Sequence, residues 1–325
     1  MSQPCVRLGL PEHDAANQLT KVVVSAIEKS GATTTASWAY TYDKAGNRTK
    51  QVRTGATGGT AGTIDYSYNG DNQLTSTTAD VSTWTYDAAG NQKKSGLTGT
   101  PANYEYFGAT TAIGATDFSY LGIGNSDHTV AGNRTFTTTA LGLDSQTNGT
   151  TTLNFSYRGA NTPLGYTNSS SHYYITDHLG SVVGMFSATG TYEGGYSYLP
   201  YGEARATGTA SAATANTQRY IGGCLEATNL YKLGARYYDA TTGRFTQTDP
   251  SGQEANPYAY AACNPINAKD PTGLAVSGNC VLQAVIALAA VVGVAASAAG
   301  GPLTFGLGVA TFGLYLVDIG TNGTS

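Results

Sequence analysis

Charged side chains are scarce in this chain of 325 residues. Lys, Arg, Asp and Glu make up 12% of it, and the net charge at pH 7 is −4, whereas a typical soluble domain has about 25% charged residues. Proteins that bind nucleic acid by neutralising phosphates need many Lys and Arg side chains. We therefore expect no nucleic-acid partner. We also expect Thr, Ser, Asn and Gly to keep the surface soluble.

The chain also lacks the residue spacings of a metal site. Its four cysteines lie far apart without a C-x-x-C pair, and its four histidines form no metal-ligand pattern with carboxylates. We expect no metal, no cofactor and no disulfide framework. The residues concerned are Cys5, Cys224, Cys263, Cys280, His13, His128, His172 and His178.

Residues 1–31 match no motif with a known role. A secretory signal peptide has a positively charged start followed by an apolar segment, and neither occurs near Met1. An exported protein of this sequence would therefore leave the cell by a route that needs no signal peptide. Residues 21–30 are expected to form one short helix.

A short unit recurs in the N-terminal half. Residues 38–48 (WAYTYDKAGNR) return as residues 84–92 (WTYDAAGNQ) and, more loosely, as residues 64–74 (IDYSYNGDNQL). Aromatic residues alternate with Thr or Ser, which is the period of a half-buried strand. The Asp-x-x-Gly-Asn end then supplies residues suited to a tight turn. Each unit predicts a β-hairpin, and stacked hairpins would bury one another's aromatic rings.

The tyrosines of these units allow two interpretations. Tyr42, Tyr68 and Tyr86 can pack across strands while the neighbouring Asp side chains bond the turns. Exposed rings could instead stack on carbohydrate. The exposure of the rings distinguishes the two.

An ordered series of motifs precedes the apolar C-terminal tail. Residues 173–181 (YYITDHLGS) and 198–202 (YLPYG) precede 234–239 (GARYYD), 243–245 (GRF), Asp249-Pro250, 256–258 (NPY), Asn264-Pro265 and 270–274 (DPTGL). This series resembles the closing core of the Rhs/YD-repeat family, which includes the C subunits of insecticidal Tc toxins and the teneurins. The resemblance implies a β shell that encloses a C-terminal cargo.

The predicted fold is mainly β. It is a curved sheet or partial shell of YD-repeat hairpins with a C-terminal α-helical hydrophobic hairpin. We divide the chain into an N-terminal segment of unknown role (1–31), YD-type repeats (32–172), the family's closing core (173–274) and a variable hydrophobic tail (275–325).

The resemblance also implies a self-cleavage site. In self-cleaving members, two aspartates at these motif positions cut the chain after the Leu of the last motif. Carried over, these are Asp249 and Asp270, with Arg244 as a neighbouring cation and Leu274–Ala275 as the bond that is cut. Two close carboxyls would share a proton, so one could activate water while the other polarises the carbonyl.

The alternative for both aspartates is structural, because Asp-Pro is a common turn former. One departure from the family bears on the first aspartate. The family has an apolar, glycine-rich stretch after it, whereas this chain has residues 251–255 (SGQEA). Glu254 would perturb the titration of the two aspartates.

The tail contains no His, Lys or Arg, and its one acidic residue is Asp318. Residues 281–299 are nearly all apolar and long enough for a membrane span, and residues 303–317 fall slightly short. Within 281–317, small residues would let two such helices pack closely. A membrane-inserting hairpin, a hydrophobic plug inside the shell and an inactive remnant of a cargo remain alternatives.

The sequence therefore predicts a fragment of a secreted or cell-surface toxin shell that releases a membrane-active tail by self-cleavage. Its partners would be its own tail, the remaining shell or secretion-system components. One alternative is a surface or adhesion module that binds glycan or another partner and is anchored by the tail. The other is the displaced C-terminal tip of a longer shell.

Overall fold

The structure is a computed structural model that describes residues 5–8, 10–28, 31–55, 61–80, 83–95, 99–106, 108–122, 125–159, 162–208 and 210–278. The chain divides into two compact units, Met1–Val276 and Ser277–Ser325. The predicted repeats and closing core belong to the first unit. The predicted hairpin at residues 281–317 lies outside the described residues.

Seven strands form the first sheet, and all of its pairs are antiparallel. The order is β1-β3-β4-β5-β6-β7, and β2 also pairs with β3. The strands are β1 (Cys5–Leu8), β2 (Glu12–His13), β3 (Leu19–Glu28), β4 (Gly31–Tyr42), β5 (Arg48–Gly55), β6 (Gly62–Tyr68) and β7 (Leu74–Thr77).

Twelve strands form the second sheet, in which each strand pairs with its neighbours along the chain. They are β8 (Lys94–Ser95), β9 (Thr100–Tyr104), β10 (Thr110–Ile113), β11 (Thr116–Tyr120), β12 (His128–Ala131), β13 (Arg134–Thr139), β14 (Gly142–Asn148), β15 (Thr151–Gly159), β16 (Thr162–Thr167), β17 (Ser171–Thr176), β18 (Val182–Ser187) and β19 (Tyr192–Gly194). The predicted array of antiparallel hairpins is thus confirmed. The sheet continues through β17, which contains the predicted division at residue 173.

The closing segment has shorter elements. A two-stranded sheet pairs β20 (Tyr196–Tyr198) with β21 (Ala204–Thr207), and a four-stranded sheet contains β22 (Cys224–Leu225), β23 (Tyr231–Leu233), β24 (Arg236–Asp239) and β25 (Arg244–Phe245). The remaining elements are α1 (Ser211–Ala215), 3-10 turns at Tyr220–Gly222 and Ala261–Cys263, β26 (Ala268–Lys269) and, in the second unit, β27 (Ser277–Gly278).

The prediction of a helix at residues 21–30 is wrong. Leu19–Glu28 is a strand that pairs with β4 from Lys21 to Glu28. Three consecutive valines at 22–24 explain the difference, because β-branched side chains favour strands over helices. Val22 and Val24 are buried, as alternate residues of a half-buried strand should be.

The recurring Asp-x-x-Gly-Asn sequence forms the same turn at each clear copy. Asp43 accepts hydrogen bonds from the backbone N–H of Ala45 and Asn47 at 2.9 and 2.8 Å. Asp87 repeats these contacts with Ala89 and Asn91 at 3.0 and 2.8 Å. The turn prediction is confirmed, and the side chain satisfies backbone donors that the tight turn leaves unpaired.

Glycine is required within these turns because its φ is positive, at +79° for Gly46 and +83° for Gly90. Gly90 also lies against the closing segment. A Cβ atom there would lie 2.7 Å from both the Thr248 methyl group and the Tyr258 hydroxyl. The repeat turn and the closing segment therefore pack without space for a side chain at this point.

Gly90→Ala should destabilise the fold by the cost of left-handed backbone, about 1–2 kcal/mol, plus about 1–3 kcal/mol for overpacking. Gly190→Ala is the matched control, since Gly190 has φ +80° and nothing within 4 Å of an added Cβ. Denaturant unfolding measures both. Equal losses for the two variants would contradict the close packing of Gly90.

Candidate active site

Both predicted aspartates are buried in loops of the closing segment. Asp249 follows β25 and has 7% of its surface exposed, and Asp270 directly follows β26 and has none exposed. A buried carboxylate needs hydrogen-bond donors or a cation to offset its lost hydration. The donors around each one therefore indicate what that carboxylate holds in place.

Asp249 organises the turn that follows it. Its carboxylate accepts hydrogen bonds from the N–H of Ser251 at 2.9 Å and of Gln253 at 3.0 Å, and from the Ser251 hydroxyl at 2.8 and 2.7 Å. Burial raises the pKa of Asp249, but the Ser251 hydrogen bonds and the charge of Arg236 outweigh it and lower that pKa below its ordinary value. Asp249 is thus ionised at neutral pH.

Asp270 holds the backbone of the predicted cleavage site. Its Oδ1 accepts hydrogen bonds from the N–H of Leu274 and of Ala275, each at 3.2 Å, and from the Thr272 hydroxyl at 3.0 Å. Its Oδ2 accepts one from the Arg236 guanidinium at 3.2 Å. One carboxylate thus contacts the nitrogen of the Leu274–Ala275 bond.

The other end of the same bond faces Asp249. The Ser251 hydroxyl lies 3.1 Å from the carbonyl oxygen of Leu274 and within hydrogen-bond distance of both Asp249 oxygens. In the described part of the chain no hydrogen bond joins the two carboxylates to each other. Asp249 and Asp270 therefore lie at opposite ends of one peptide bond, with Ser251 between Asp249 and the carbonyl.

Arg236 is the cation of this site. It is fully buried, and its Nε and Nη1 donate to the carbonyl oxygens of Gly273 at 2.6 Å and Pro257 at 3.0 Å. Its guanidinium carbon lies 3.6 Å from the centre of the Phe245 ring. The same side chain that pairs with Asp270 thus fixes the backbone just before Leu274.

Arg244, the cation predicted from the sequence, lies elsewhere. It donates to the Asn47 side chain at 2.9 Å and to the Asn72 carbonyl, and it lies 4.7 Å from the Tyr68 ring. No ion pair between Arg244 and either aspartate occurs among the described residues. Arg244 therefore joins the closing segment to the repeats.

Arg236 belongs to the GARYYD motif, and nothing in that motif indicates a role at the cleavage site. Along the chain, Arg236 is 34 residues away from the aspartate it contacts, Asp270. Arg244 lies much nearer in sequence to the other aspartate, Asp249. The order of motifs carries no signal that distinguishes the two arginines. Ser251 belongs to the segment that departs from the family, so the resemblance implies no role for it either.

Glu254 is the third carboxyl of the site and lies near Arg236. Its Oε2 lies 3.7 Å from the guanidinium and has no hydrogen-bond partner in the part of the chain described here. Burial raises the pKa of Glu254 to about 7; Arg236 opposes the rise, and the negative charges of Asp270 and Asp249 add to it. The titration of Glu254 is thus moved towards neutral pH.

Two cavities border the predicted cleavage site. One of about 520 Å³ is lined in part by Arg236, Pro250 and Leu274, and one of about 330 Å³ by Leu233, Thr272 and Leu274. Either has room for several water molecules, since one water occupies about 30 Å³ in the liquid.

The repeat tyrosines take part in the fold. The hydroxyls of Tyr42, Tyr68 and Tyr86 donate to backbone carbonyl oxygens at 2.8, 2.9 and 3.1 Å, and their rings are partly buried. These contacts favour the packing interpretation over stacking on carbohydrate.

Cys224 and Cys263 are buried free thiols. Among the described residues, no cluster of His, Cys, Asp or Glu has an arrangement that could hold a metal ion. No helix in the same part of the chain has the length and apolar character that crossing a membrane requires.

Comparison with known families agrees with this architecture. The family model described as "Teneurin YD-shell" matches residues 132–266. The relative "tRNA3(Ser)-specific nuclease WapA" of Bacillus spizizenii is 30% identical over 252 residues, which is 72% of this chain but 11% of the relative. "Toxin subunit YenC2" of Yersinia entomophaga is 38% identical over 87 residues, 24% of this chain and 8% of the relative. The chain thus spans a small part of these relatives' length.

Among solved structures, the chain is similar to the one described as "Crystal Structure of TcdB2-TccC3-Cdc42". The TM-score is 0.64 at 20% identity, and the match covers 81% of this chain and 15% of that chain. At this identity the likeness shows the fold.

Glu254→Gln should change how stability depends on pH. The folded chain holds the Glu254 proton more tightly than the unfolded chain, because the pKa rises from 4.5 to about 7 on folding. The stabilisation that this bound proton gives the folded chain is fully present below the pKa that Glu254 has in the unfolded chain. It is lost as the pH rises through 7. A Gln side chain cannot ionise and avoids the loss.

The free energy of unfolding of Glu254→Gln minus that of wild type should therefore increase by on the order of 1–3 kcal/mol between about pH 4 and about pH 8. Denaturant unfolding at several pH values measures it. Glu105→Gln, at an exposed position, reports the effect of losing one surface charge. A Glu254→Gln difference that stays constant with pH would contradict the buried titration.

Proposed function

Because this chain belongs to the Rhs/YD-repeat family, we propose that it is part of a toxin-related β shell that cuts its own backbone between Leu274 and Ala275. The cut would release residues 275–325 as a cargo. The observation that carries the proposal is the placement of Asp249 and Asp270 at the two ends of this peptide bond.

The geometry supports separate roles for the two carboxyls. Asp249 is ionised and lies on the carbonyl side, where it can take a proton from a water molecule whose oxygen bonds to the Leu274 carbonyl carbon. Asp270 contacts the Ala275 nitrogen at 3.2 Å. It can take a proton from the tetrahedral intermediate and deliver it to this nitrogen as the C–N bond breaks. This division replaces the single proton shared by two adjacent carboxyls that the sequence suggested.

Proximity provides much of the rate in this scheme. The bond that is cut is held by hydrogen bonds to the same residues that would cut it, so no substrate has to be bound and oriented. Arg236 fixes the carbonyl of Gly273 and the carboxylate of Asp270 together. A site that acts once on its own chain needs only a moderate catalyst.

The released segment would contain residues 281–317. We propose that it acts on membranes, on the strength of its apolar composition alone. Release of dye from lipid vesicles by the purified 275–325 peptide would test this, and vesicles that stay intact would contradict it. Export without a signal peptide and partnership with remaining shell segments or secretion-system components stay predictions.

Asp249→Asn and Asp270→Asn should each slow the cut by about 10²–10⁴-fold, the usual worth of a general acid or base. Intact mass of the purified chain measures the fragment 1–274. Asp239→Asn is a matched control, because Asp239 is also buried and accepts two hydrogen bonds from the residue two positions later. It contacts neither Leu274 nor Ala275.

Loss of cleavage in all three variants would point to turn formation rather than catalysis. A wild-type chain that stays whole would contradict self-cleavage. That result would favour a surface module anchored by its tail, or the tip of a longer shell.

A further inference from the structure

The hydroxyl of Ser251 faces two different acceptors. Its oxygen lies 2.8 and 2.7 Å from the two carboxylate oxygens of Asp249 and 3.1 Å from the carbonyl oxygen of Leu274. A hydroxyl carries one proton and can also accept hydrogen bonds. When the Asp249 carboxyl is ionised, the Ser251 hydroxyl therefore donates its proton to Asp249. When the Asp249 carboxyl is protonated, the hydroxyl is free to donate to the carbonyl oxygen of Leu274.

We propose that Ser251 is a further catalytic residue, whose hydroxyl passes a proton from Asp249 to the carbonyl oxygen of Leu274 during cleavage. This inference rests on the proposed function, because it assigns a step within the same hydrolysis. No hydrogen bond joins Asp249 to the Leu274 carbonyl directly in the described residues. Ser251 is the group that connects them.

The reaction begins with Asp249 ionised and the Ser251 hydroxyl directed at it. As the water oxygen bonds to the carbonyl carbon, Asp249 takes a water proton and the C=O electron pair moves onto the oxygen. Protonated Asp249 then donates its proton to Ser251, and Ser251 gives its own hydroxyl proton to the Leu274 oxygen. Asp249 is ionised again, and the carbon carries two hydroxyl groups.

The second half of the reaction uses the other carboxyl. Ionised Asp270 takes a proton from one of the two hydroxyl groups and delivers it to the Ala275 nitrogen as the C–N bond breaks and the C=O bond forms again. The products are a carboxylic acid at Leu274 and a free amine at Ala275. Ser251 regains its original proton count, so no oxidant, reductant or further reactant is needed.

The contact of Ser251 with Leu274 is not needed to form the turn that follows Asp249. Asp239 and Thr241 form the same local arrangement, with Asp239 accepting from the Thr241 N–H at 2.9 Å and from its hydroxyl at 2.6 Å. Among the described residues, the Thr241 hydroxyl forms a hydrogen bond with Asp239 and with no second acceptor. The carbonyl of Leu274 is thus an additional acceptor, supplied by a segment 23 residues away.

Water can reach this end of the bond. The cavity of about 520 Å³ borders Pro250, directly after Asp249, and also Leu274, a residue that is 36% exposed. A space large enough for the attacking water therefore lies beside Leu274 and beside Pro250, the chain neighbour of both Asp249 and Ser251.

Ser251→Ala should slow the cut by about 10²–10³-fold, the usual effect of removing one donor to a developing oxyanion. Ser251→Thr keeps the hydroxyl and should stay within about tenfold of wild type. Thr241→Ala removes the equivalent hydroxyl from the comparison turn and should cleave like wild type. The amount of fragment 1–274 is followed over time by intact mass, and thermal unfolding confirms that each variant is folded.

Each outcome decides between distinct claims. A folded Ser251→Ala chain that is cut at the wild-type rate overturns the role of Ser251 and leaves the proposed self-cleavage standing. Equal slowing of Ser251→Ala and Ser251→Thr overturns it as well, because the hydroxyl would then not be the active feature. A wild-type chain that is never cut overturns both proposals.

Discussion

The buried guanidinium of Arg236 is the interaction on which the closing segment depends. It binds the carbonyl oxygens of Pro257 and Gly273 and the carboxylate of Asp270, and it lies against the face of Phe245. A buried cation without acceptors is strongly unfavourable, so these loops must keep their places for Arg236 to stay inside. The position of the Leu274–Ala275 bond beside Asp270 results from this requirement.

The repeats hold this segment through the same turns that define them. Asn47, from the first Asp-x-x-Gly-Asn turn, accepts hydrogen bonds from Arg244 at 2.9 Å and from Asn256 at 2.7 Å. The carbonyl of Gly90, in a later copy, accepts one from Tyr258 at 2.7 Å. A sequence that makes a tight hairpin turn thereby also presents polar groups to the closing segment. Repeat architecture and candidate site are therefore linked through hydrogen bonds as well as along the chain.

The sequence predicted the local features well and the distant ones poorly. Alternating aromatic residues and Asp-x-x-Gly-Asn turns indicate hairpins because both effects act within a few residues. The helix expected at residues 21–30 was wrong because consecutive valines outweighed the rest of that segment. The choice of Arg244 over Arg236 depended on contacts between segments far apart along the chain, which motif order does not encode. Ser251 acquires its second acceptor in the same way, through folding alone.

The central claim is that water cuts the Leu274–Ala275 bond within the folded chain. Cell-free synthesis of the full chain in water enriched in heavy oxygen, followed by intact and fragment mass measurement, tests it directly. The account predicts a fragment that ends at Leu274 and carries one heavy oxygen in its new carboxyl group, together with a second fragment that begins at Ala275. An uncut chain, a different end residue, or a Leu274 end without heavy oxygen would contradict it.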